Sequence, residues 1–150
     1  MGQRGRRSPV GGWHNLGVRW SEQVVTPEFR TFWTEWRVCV LSTVRPDGRS
    51  HAVAVGATLD FDTGIARVIT SGGSVKAANV RAAGPAGAPV SVTGVDGGYW
   101  STVAGVARVR DEPDAVAEAE RRYARRYRVP RPNPHRVVIE IEVQSVVGRL

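Results

Sequence analysis

The amino-acid sequence predicts a mainly β domain, in which a small antiparallel barrel of about six strands carries helices on its outside. Runs rich in β-branched residues recur along the chain and are joined by short turns that contain glycine, proline or aspartate. Two helical segments interrupt these runs. The last run, residues 137–147, alternates between apolar and polar side chains, which is typical of a strand with one face in a core.

Size and composition limit the classes of protein that fit. The 150 residues suit one domain, and a hydrophobic fraction of 41% is ordinary for a globular protein. No stretch approaches the ~20 apolar residues of a membrane span, and no signal peptide is expected after the basic N-terminus. Cys39 is the only cysteine, which excludes a disulfide framework and a cysteine-based zinc site and predicts a cytoplasmic protein. The three histidines lack metal-ligand spacing, so no metal site is expected.

The net charge of +7 indicates an anionic partner. Many arginines lie in the N-terminal arm or at one helix end, without the interleaved aromatic residues of an RNA-binding surface. We therefore expect a small anionic ligand and neither nucleic acid nor a membrane as partner. The sequence contains no GxSxG, HExxH or GxxxxGK[ST] motif, so hydrolase and kinase functions have no support.

The first 25 residues are rich in glycine, arginine and serine without a clear period. They predict a disordered or variable N-terminal arm, followed by the barrel domain over residues 26–150. Thr26, Pro27 and Glu28 provide a cap, a proline at the first helical position and an acid, so a helix is expected from there to Trp36. Its apolar stripe, expected in the core, comprises Phe29, Phe32, Trp33 and Trp36.

The strands and later helices follow from periodicity and turn residues. We expect strands over residues 38–43, 51–59, 65–70, 90–95, 99–110 and 137–147, and helices over 74–83 and 111–128. In the second strand, Val53, Val55, Ala57 and Leu59 can fill a core, whereas the alternate positions are all small. Small residues allow a flat ring to lie against the strand backbone, although close packing of a helix or of another protomer would need them too.

The segment 64–78 predicts a strand, a glycine turn and then a helix capped by Ser74. Backbone N–H groups at such a turn, together with the helix N-terminus, favour an anion. Lys76 lies in the first helical turn, where a cation opposes the helix dipole but can bind a phosphate. The alternative is a surface lysine after an ordinary loop.

The last predicted helix carries acids early and arginines late, which complements its dipole, and its apolar stripe comprises Val116, Ala119, Tyr123 and Tyr127. Three prolines stiffen the loop over residues 129–134 that follows it. Arg131 and Asn133 would be presented there to a ligand with little loss of entropy on binding. A rigid connector is the alternative interpretation.

Two sequence runs resemble a known family. HAVAVG at residues 51–56 and IARVITSGGSVKA at residues 65–77 are similar to the split β-barrel flavin and deazaflavin oxidoreductases, relatives of pyridoxamine 5′-phosphate oxidase. The run AERRYARRYRVPRPNPHRVVIE at residues 119–140 resembles the actinobacterial branch that uses the deazaflavin coenzyme F420. The similarity covers roughly residues 32–148, nearly all of the predicted barrel.

The resemblance implies a homodimeric split β-barrel of the FMN-binding type, with cofactor grooves at the dimer interface. It implies an F420-dependent oxidoreductase that passes a hydride to a conjugated acceptor, with biliverdin, reduced to bilirubin, as the expected acceptor. The catalytic residues stay unassigned. By matching position, the resemblance implies cofactor-binding roles for Ala54, Val55, Gly56, Thr70, Ser71, Ser74, Lys76, Asn79, Arg131 and Asn133.

Other functions remain open at this point. An FMN-binding oxidoreductase of the same fold, or a non-catalytic carrier of F420, a flavin or a tetrapyrrole, would share these binding features. The link at residues 84–88 is longer than expected for the family. The contacts to the cofactor tail that the resemblance implies are therefore not carried over beyond Asn79.

Overall fold

A computed structural model describes residues 14–150 of the chain. Three α-helices are present in this part: α1 (Pro27–Thr34), α2 (Val75–Ala82) and α3 (Pro113–Arg126). A short 3-10 helix covers Glu22–Val24. The strands are β1 (His14–Arg19), β2 (Cys39–Val44), β3 (Ser50–Val55), β4 (Thr58–Asp60), β5 (Ile65–Ser71), β6 (Ala88–Asp96), β7 (Tyr99–Arg110) and β8 (Arg136–Arg149).

The strands of the described residues form one sheet in the order β3-β2-β6-β7-β8-β5-β4, and β1 pairs with β8. Every pairing is antiparallel. The strands β3 and β4 lie at opposite ends of this order, yet only Gly56 and Ala57 separate them in the chain. The sheet must therefore curl until its two ends meet, which produces a barrel that is split between β3 and β4.

The core lies inside this curled sheet and is closed at one end by α1. Thr26 caps α1, because its Oγ1 accepts a hydrogen bond from the Phe29 backbone N–H at 3.2 Å. Phe29, Phe32 and Trp33 are buried, and the Trp33 indole N–H donates to the Ser101 hydroxyl at 3.1 Å. In β8 the predicted inward residues Val137, Ile139, Ile141 and Val143 are all buried. The predicted class, a mainly β barrel with peripheral helices, is confirmed.

Several predicted details need correction. The described residues contain eight strands rather than about six. The predicted second strand, residues 51–59, is broken at Gly56 and Ala57 into β3 and β4, where the chain crosses between the two ends of the sheet. Trp36 is 66% exposed rather than in the core, because α1 ends at Thr34 and the chain extends at Glu35.

The N-terminal arm is only partly covered, since residues 1–13 of the predicted arm lie outside the described residues. Disorder over residues 14–25 was wrong, because β1 and the 3-10 helix lie there. The Trp20 backbone N–H donates to the Gln144 carbonyl at 2.9 Å, and the Trp20 ring packs against Phe29 with centroids 6.2 Å apart. Pairing with a distant strand is not visible in the local sequence, which explains the error. The division at residue 25 into arm and domain stays a prediction.

Candidate functional site

A groove with a volume of about 360 Å³ lies on the outside of the barrel, where β3 and β5 end beside α2 and the loop that follows α3. We call it the basic groove. Eight of the ten predicted site residues line it: Ala54, Val55, Gly56, Thr70, Ser71, Lys76, Arg131 and Asn133. The tertiary structure thus brings together residues from three separate segments of the sequence.

One wall of the basic groove is the end of β3, which bears small side chains. Ala54 is exposed, whereas Val55 points into the core. Among the described residues, β3 pairs only with β2, so alternate backbone N–H and C=O groups of β3 face away from the sheet. A planar ligand can lie against this wall and reach those backbone groups.

Gly56 has a steric role at the same wall. A Cβ built on Gly56 would come within 2.7 Å of Tyr123 Cε2 and 3.1 Å of Tyr127 Cε2. The absence of a side chain therefore lets both tyrosine rings of the α3 segment rest on the strand backbone. The predicted stripe of α3 faces the barrel here, although Tyr123 and Tyr127 are only partly buried.

Replacing Gly56 with alanine should displace these rings, because the new methyl group and Tyr123 cannot occupy the same space. We expect the free energy of unfolding to fall by about 1–2 kcal/mol. Gly98→Ala is a matched control, since a Cβ at Gly98 meets nothing within 4 Å. Chemical denaturation of both variants checks this prediction, and equal stabilities would contradict it.

The opposite wall is the turn between β5 and α2. Ser74 caps α2, as predicted, by accepting the Ala77 N–H at 3.2 Å, and its Oγ also accepts from the Thr70 hydroxyl at 3.0 Å. Lys76 is half-buried, and this desolvation lowers the pKa of its ammonium group below the usual 10.5. Its ammonium makes no ion pair with a carboxylate of residues 14–150, so the charge is available to a ligand.

The proline-rich loop is tied to this turn by specific hydrogen bonds. The Asn133 side-chain amide donates to the Ser71 hydroxyl at 2.9 Å, and its carbonyl oxygen accepts from the His135 N–H at 2.9 Å. The Gly72 N–H donates to the His135 carbonyl at 2.8 Å. These contacts hold the loop against the groove in one arrangement.

Two predicted residues lie elsewhere. The Ser74 hydroxyl does not line the basic groove and is already engaged by the helix cap and by Thr70. Asn79 is only 6% exposed, and its amide donates to the Thr43 hydroxyl at 3.0 Å in the interior. The cofactor-binding role of all ten residues stays a prediction.

The groove is also lined by five residues that the site prediction did not include: Ile69, Tyr123, Arg128, Pro130 and Arg136. Tyr123 belongs to the predicted apolar stripe of α3, and Arg128 and Arg136 flank the proline-rich loop, so the available signal was their spacing around that loop. Arg136 pairs with Glu120 at 3.5 Å and donates to the Arg131 carbonyl at 2.7 Å. These bonds orient the loop backbone beneath Arg131.

The charge of the basic groove is strongly asymmetric. Four of its lining residues are cationic, and none of the described lining residues is acidic. By contrast, a cavity on the other side of α3, with a volume of about 370 Å³, contains Asp60 and Asp62 beside its arginines. There, Arg122 already pairs with Asp60 at 3.1 Å. The basic groove is therefore the better place for a polyanion.

A second cavity, of about 400 Å³, adjoins the basic groove and shares residues 54–56 with it. We call it the aromatic pocket, and it is further lined by Trp36, Val38, Tyr123, Tyr127 and Arg128. The Tyr123 and Tyr127 rings lie 4.9 Å apart at 31°, and the Trp36 ring meets Tyr127 edge-on at 6.5 Å. The site thus combines a charged groove with an apolar pocket.

Tyr127 is held by backbone atoms. Its hydroxyl donates to the Arg37 carbonyl at 2.8 Å and accepts from the Ala57 N–H at 3.0 Å. Burial raises the pKa of Tyr127 to about 12. Tyr127 is therefore a neutral, fixed wall of the pocket at physiological pH.

The described residues show no feature of two other kinds of site. No helix within residues 14–150 is long and apolar enough to cross a membrane. In the same part of the chain, His, Cys, Asp and Glu side chains form no group that could hold a metal ion.

Comparisons with known proteins agree with the fold. Residues 25–149 match the family model described as pyridoxamine 5′-phosphate oxidase. The F420H(2)-dependent biliverdin reductase of Mycobacterium tuberculosis (strain CDC 1551 / Oshkosh) is 50% identical over 117 residues, which cover 78% of this chain and 82% of that protein.

Solved structures share the fold. A conserved hypothetical protein from Mycobacterium tuberculosis superimposes with a TM-score of 0.67 at 25% identity, covering 81% of both chains. An F420 reductase superimposes with a TM-score of 0.64 at 21% identity, covering 81% of this chain and 98% of the other. The family match and the 50% identical relative extend over most of the chain. The chain belongs to the pyridoxamine 5′-phosphate oxidase family.

Proposed function

We propose that this chain is an oxidoreductase that uses reduced coenzyme F420 to reduce biliverdin to bilirubin. The observation that carries the proposal is the basic groove, which has four cationic lining residues and no acidic one among those described. The 50% identical relative is named for this reaction, which supports the choice of cofactor and acceptor. The cytoplasm stays the predicted location.

The groove residues fit the chemistry of F420. The cofactor carries a flat deazaflavin ring, a phosphodiester and a polyglutamyl tail, so it requires a planar wall and several cations. Lys76, with Ser71 and Thr70, would hold the phosphodiester, and Arg131 would face the anionic tail. Residues 54–56 would support the ring through the free backbone groups of β3.

Hydride donation is the chemistry that the reduced cofactor supplies when bound. The chain contributes position and environment. Tyr123 covers Gly56 and limits water at that wall, while the hydrogen bond between Asn133 and Ser71 fixes the loop that carries Arg131. The Tyr127 hydroxyl keeps its proton between two backbone groups, so it holds the wall in place and is not the proton donor.

The first test is a fluorescence titration of oxidised F420 with the purified protein, beside a matched titration with FMN. Saturable binding of F420 without binding of FMN supports the proposal, and turnover of biliverdin with reduced F420 then tests the acceptor. Binding of FMN alone would point to an FMN-dependent oxidoreductase. Tight binding of F420 without turnover of any acceptor in a panel would point to a carrier.

We further propose that the protein is a homodimer through the outer face of β2 and β3. Val40 and Val44 point outward from β2 and are exposed, beside the small residues Ala52 and Ala54 of β3. Because this apolar face continues into the basic groove at Ala54, a second copy seated there would complete the groove.

Val40→Glu is expected to produce monomers, since a buried carboxylate without a partner disfavours the interface. Sedimentation velocity measures the change. Val18→Glu is the matched control, because Val18 is 40% exposed and Val40 is 41% exposed. A monomeric wild-type protein, or a dimer that survives Val40→Glu, would contradict the proposed interface.

A further inference from the structure

We propose that the aromatic pocket binds the acceptor, and that it selects a flat conjugated molecule that carries a carboxylate. This inference rests on the proposed function, because it assigns the acceptor to a place beside the cofactor groove. Trp36 and Tyr127 would stack against the conjugated system, and Arg128 would pair with the carboxylate.

Within the single chain, no core contact explains the position of Trp36. Its side chain is 66% exposed, and the ring contact that the structure gives it is the edge-on contact with Tyr127 at 6.5 Å. It follows the end of α1 and contributes nothing to the core, although Phe32 and Trp33 of the same segment are buried. A large aromatic side chain left in solvent at the mouth of a pocket is typical of a binding surface.

The wall that faces this indole is already rigid. The Tyr127 hydroxyl is fixed by the Ala57 and Arg37 backbone, and the Tyr123 ring lies beside it at 4.9 Å over Gly56. A flat acceptor that binds against these rings would lose its own translational and rotational entropy, but the protein side chains would lose little conformational entropy because they are already ordered. Such preorganisation favours binding of planar molecules.

Arg128 lines both cavities and supplies a positive charge at the boundary between them. Three other arginines of the α3 segment are engaged: Arg121 and Arg122 bind Glu118, and Arg126 binds backbone carbonyls. Arg128 is exposed, and no acidic residue is among the described residues that line the aromatic pocket. A ligand carboxylate is the complementary group.

Continuity places this pocket next to the reacting centre. Residues 54–56 line both cavities, so a planar ring in the basic groove and one in the aromatic pocket would contact the same short stretch of β3. That shared strand brings the acceptor within reach of the cofactor ring, which hydride transfer requires.

The test uses the full chain and three variants: Trp36→Leu, Arg128→Gln and the control Arg125→Gln, which lies outside both cavities. Biliverdin and its dimethyl ester are the two probes. Their binding is followed by their absorbance and induced circular dichroism without cofactor, and KM and kcat are then measured with reduced F420. The Kd for F420 is measured for every variant.

Trp36→Leu should weaken the binding of both probes by roughly fivefold, because one aromatic stacking contact is lost. The Kd for F420 should stay within about twofold of the wild-type value. Arg128→Gln should weaken the binding of biliverdin by roughly tenfold but change the binding of its dimethyl ester little, because only the free acid carries the negative charge. Arg125→Gln should match the wild type.

Equal affinity of wild type and Trp36→Leu for both probes would overturn the inference, as would an equal effect of Arg128→Gln on acid and ester. A change of oligomeric state in Trp36→Leu, without a change in probe affinity, would assign the pocket to a second copy of the chain and also overturn it. Failure of the wild type to bind F420 would refute the proposed function separately, because probe binding is measured without cofactor.

Discussion

Arg126→Met is expected to lower the free energy of unfolding by about 3 kcal/mol or more. The Arg126 side chain is 7% exposed, and its guanidinium donates to the carbonyls of Glu35 at 2.9 Å, Ala57 at 2.6 Å and Phe32 at 3.2 Å. It therefore joins the end of α1 to the short connection between β3 and β4. Methionine preserves much of the apolar stem but removes all three of these charge-assisted hydrogen bonds, and only the carbonyls of Phe32 and Ala57 keep another donor, from Arg37 and Tyr127.

Urea denaturation of the variant, beside Arg125→Met as the matched control, checks this prediction. Arg125 is the preceding residue of the same helix and is exposed, so its replacement should change stability by less than about 0.5 kcal/mol. A loss below about 1 kcal/mol for Arg126→Met would show that water or a neighbouring donor satisfies the three carbonyls.

Lys76→Ala is expected to weaken F420 binding by about 1–3 kcal/mol, roughly 5- to 150-fold in Kd. Lys76 is half-buried beside Thr70 and Ser71, and it has no carboxylate partner within residues 14–150. Removal of its charge would leave a phosphodiester bound at this turn with only the backbone and hydroxyl groups as partners. Fluorescence titration measures the effect.

Lys76→Arg is the charge-preserving control and should retain most of the affinity. A pH series adds an independent check: since burial lowers the pKa of Lys76, its charge is complete below the lowered pKa and is lost as pH rises through it. The affinity of the wild type should fall at a pH below 10.5, and that decline should be absent in Lys76→Ala. An unchanged Kd in the alanine variant would show that the phosphodiester of F420 does not bind at this turn.

Local sequence patterns predicted the structure correctly where the conformation of a helix or strand depends only on residues within that element. The cap of α1 at Thr26, the cap of α2 at Ser74 and the inward face of β8 are all confirmed. In each case neighbouring residues supply the signal: a hydroxyl three residues before a free N–H, or alternation along one strand. The small residues of the predicted second strand left two interpretations open, a flat ligand or a closely packed helix or protomer, and at Gly56 the Tyr123 and Tyr127 rings lie against the backbone.

Prediction failed where residues distant in sequence decide the outcome. The pairing of β1 with β8 depends on a partner more than 100 residues away, and the break of the predicted second strand depends on the closure of the barrel. Arg126 is one of the late arginines of the last predicted helix, yet it is buried because the carbonyls of Phe32, Glu35 and Ala57 converge on it. Trp36 was predicted in the core and is exposed, because the helix ends before it.

The sequence by itself therefore determined the fold class and the family, and it predicted the residue types of an anion-binding site. Alternation, capping and turn chemistry act over a few residues and are written in the local chain. Only the tertiary structure decided which of those residues share the basic groove, that Asn79 lies in the interior, and that Trp36 and Arg128 border an aromatic pocket. The physical reason is that curling of the sheet, and not sequence spacing, sets the distances between β3, α2 and the loop after α3.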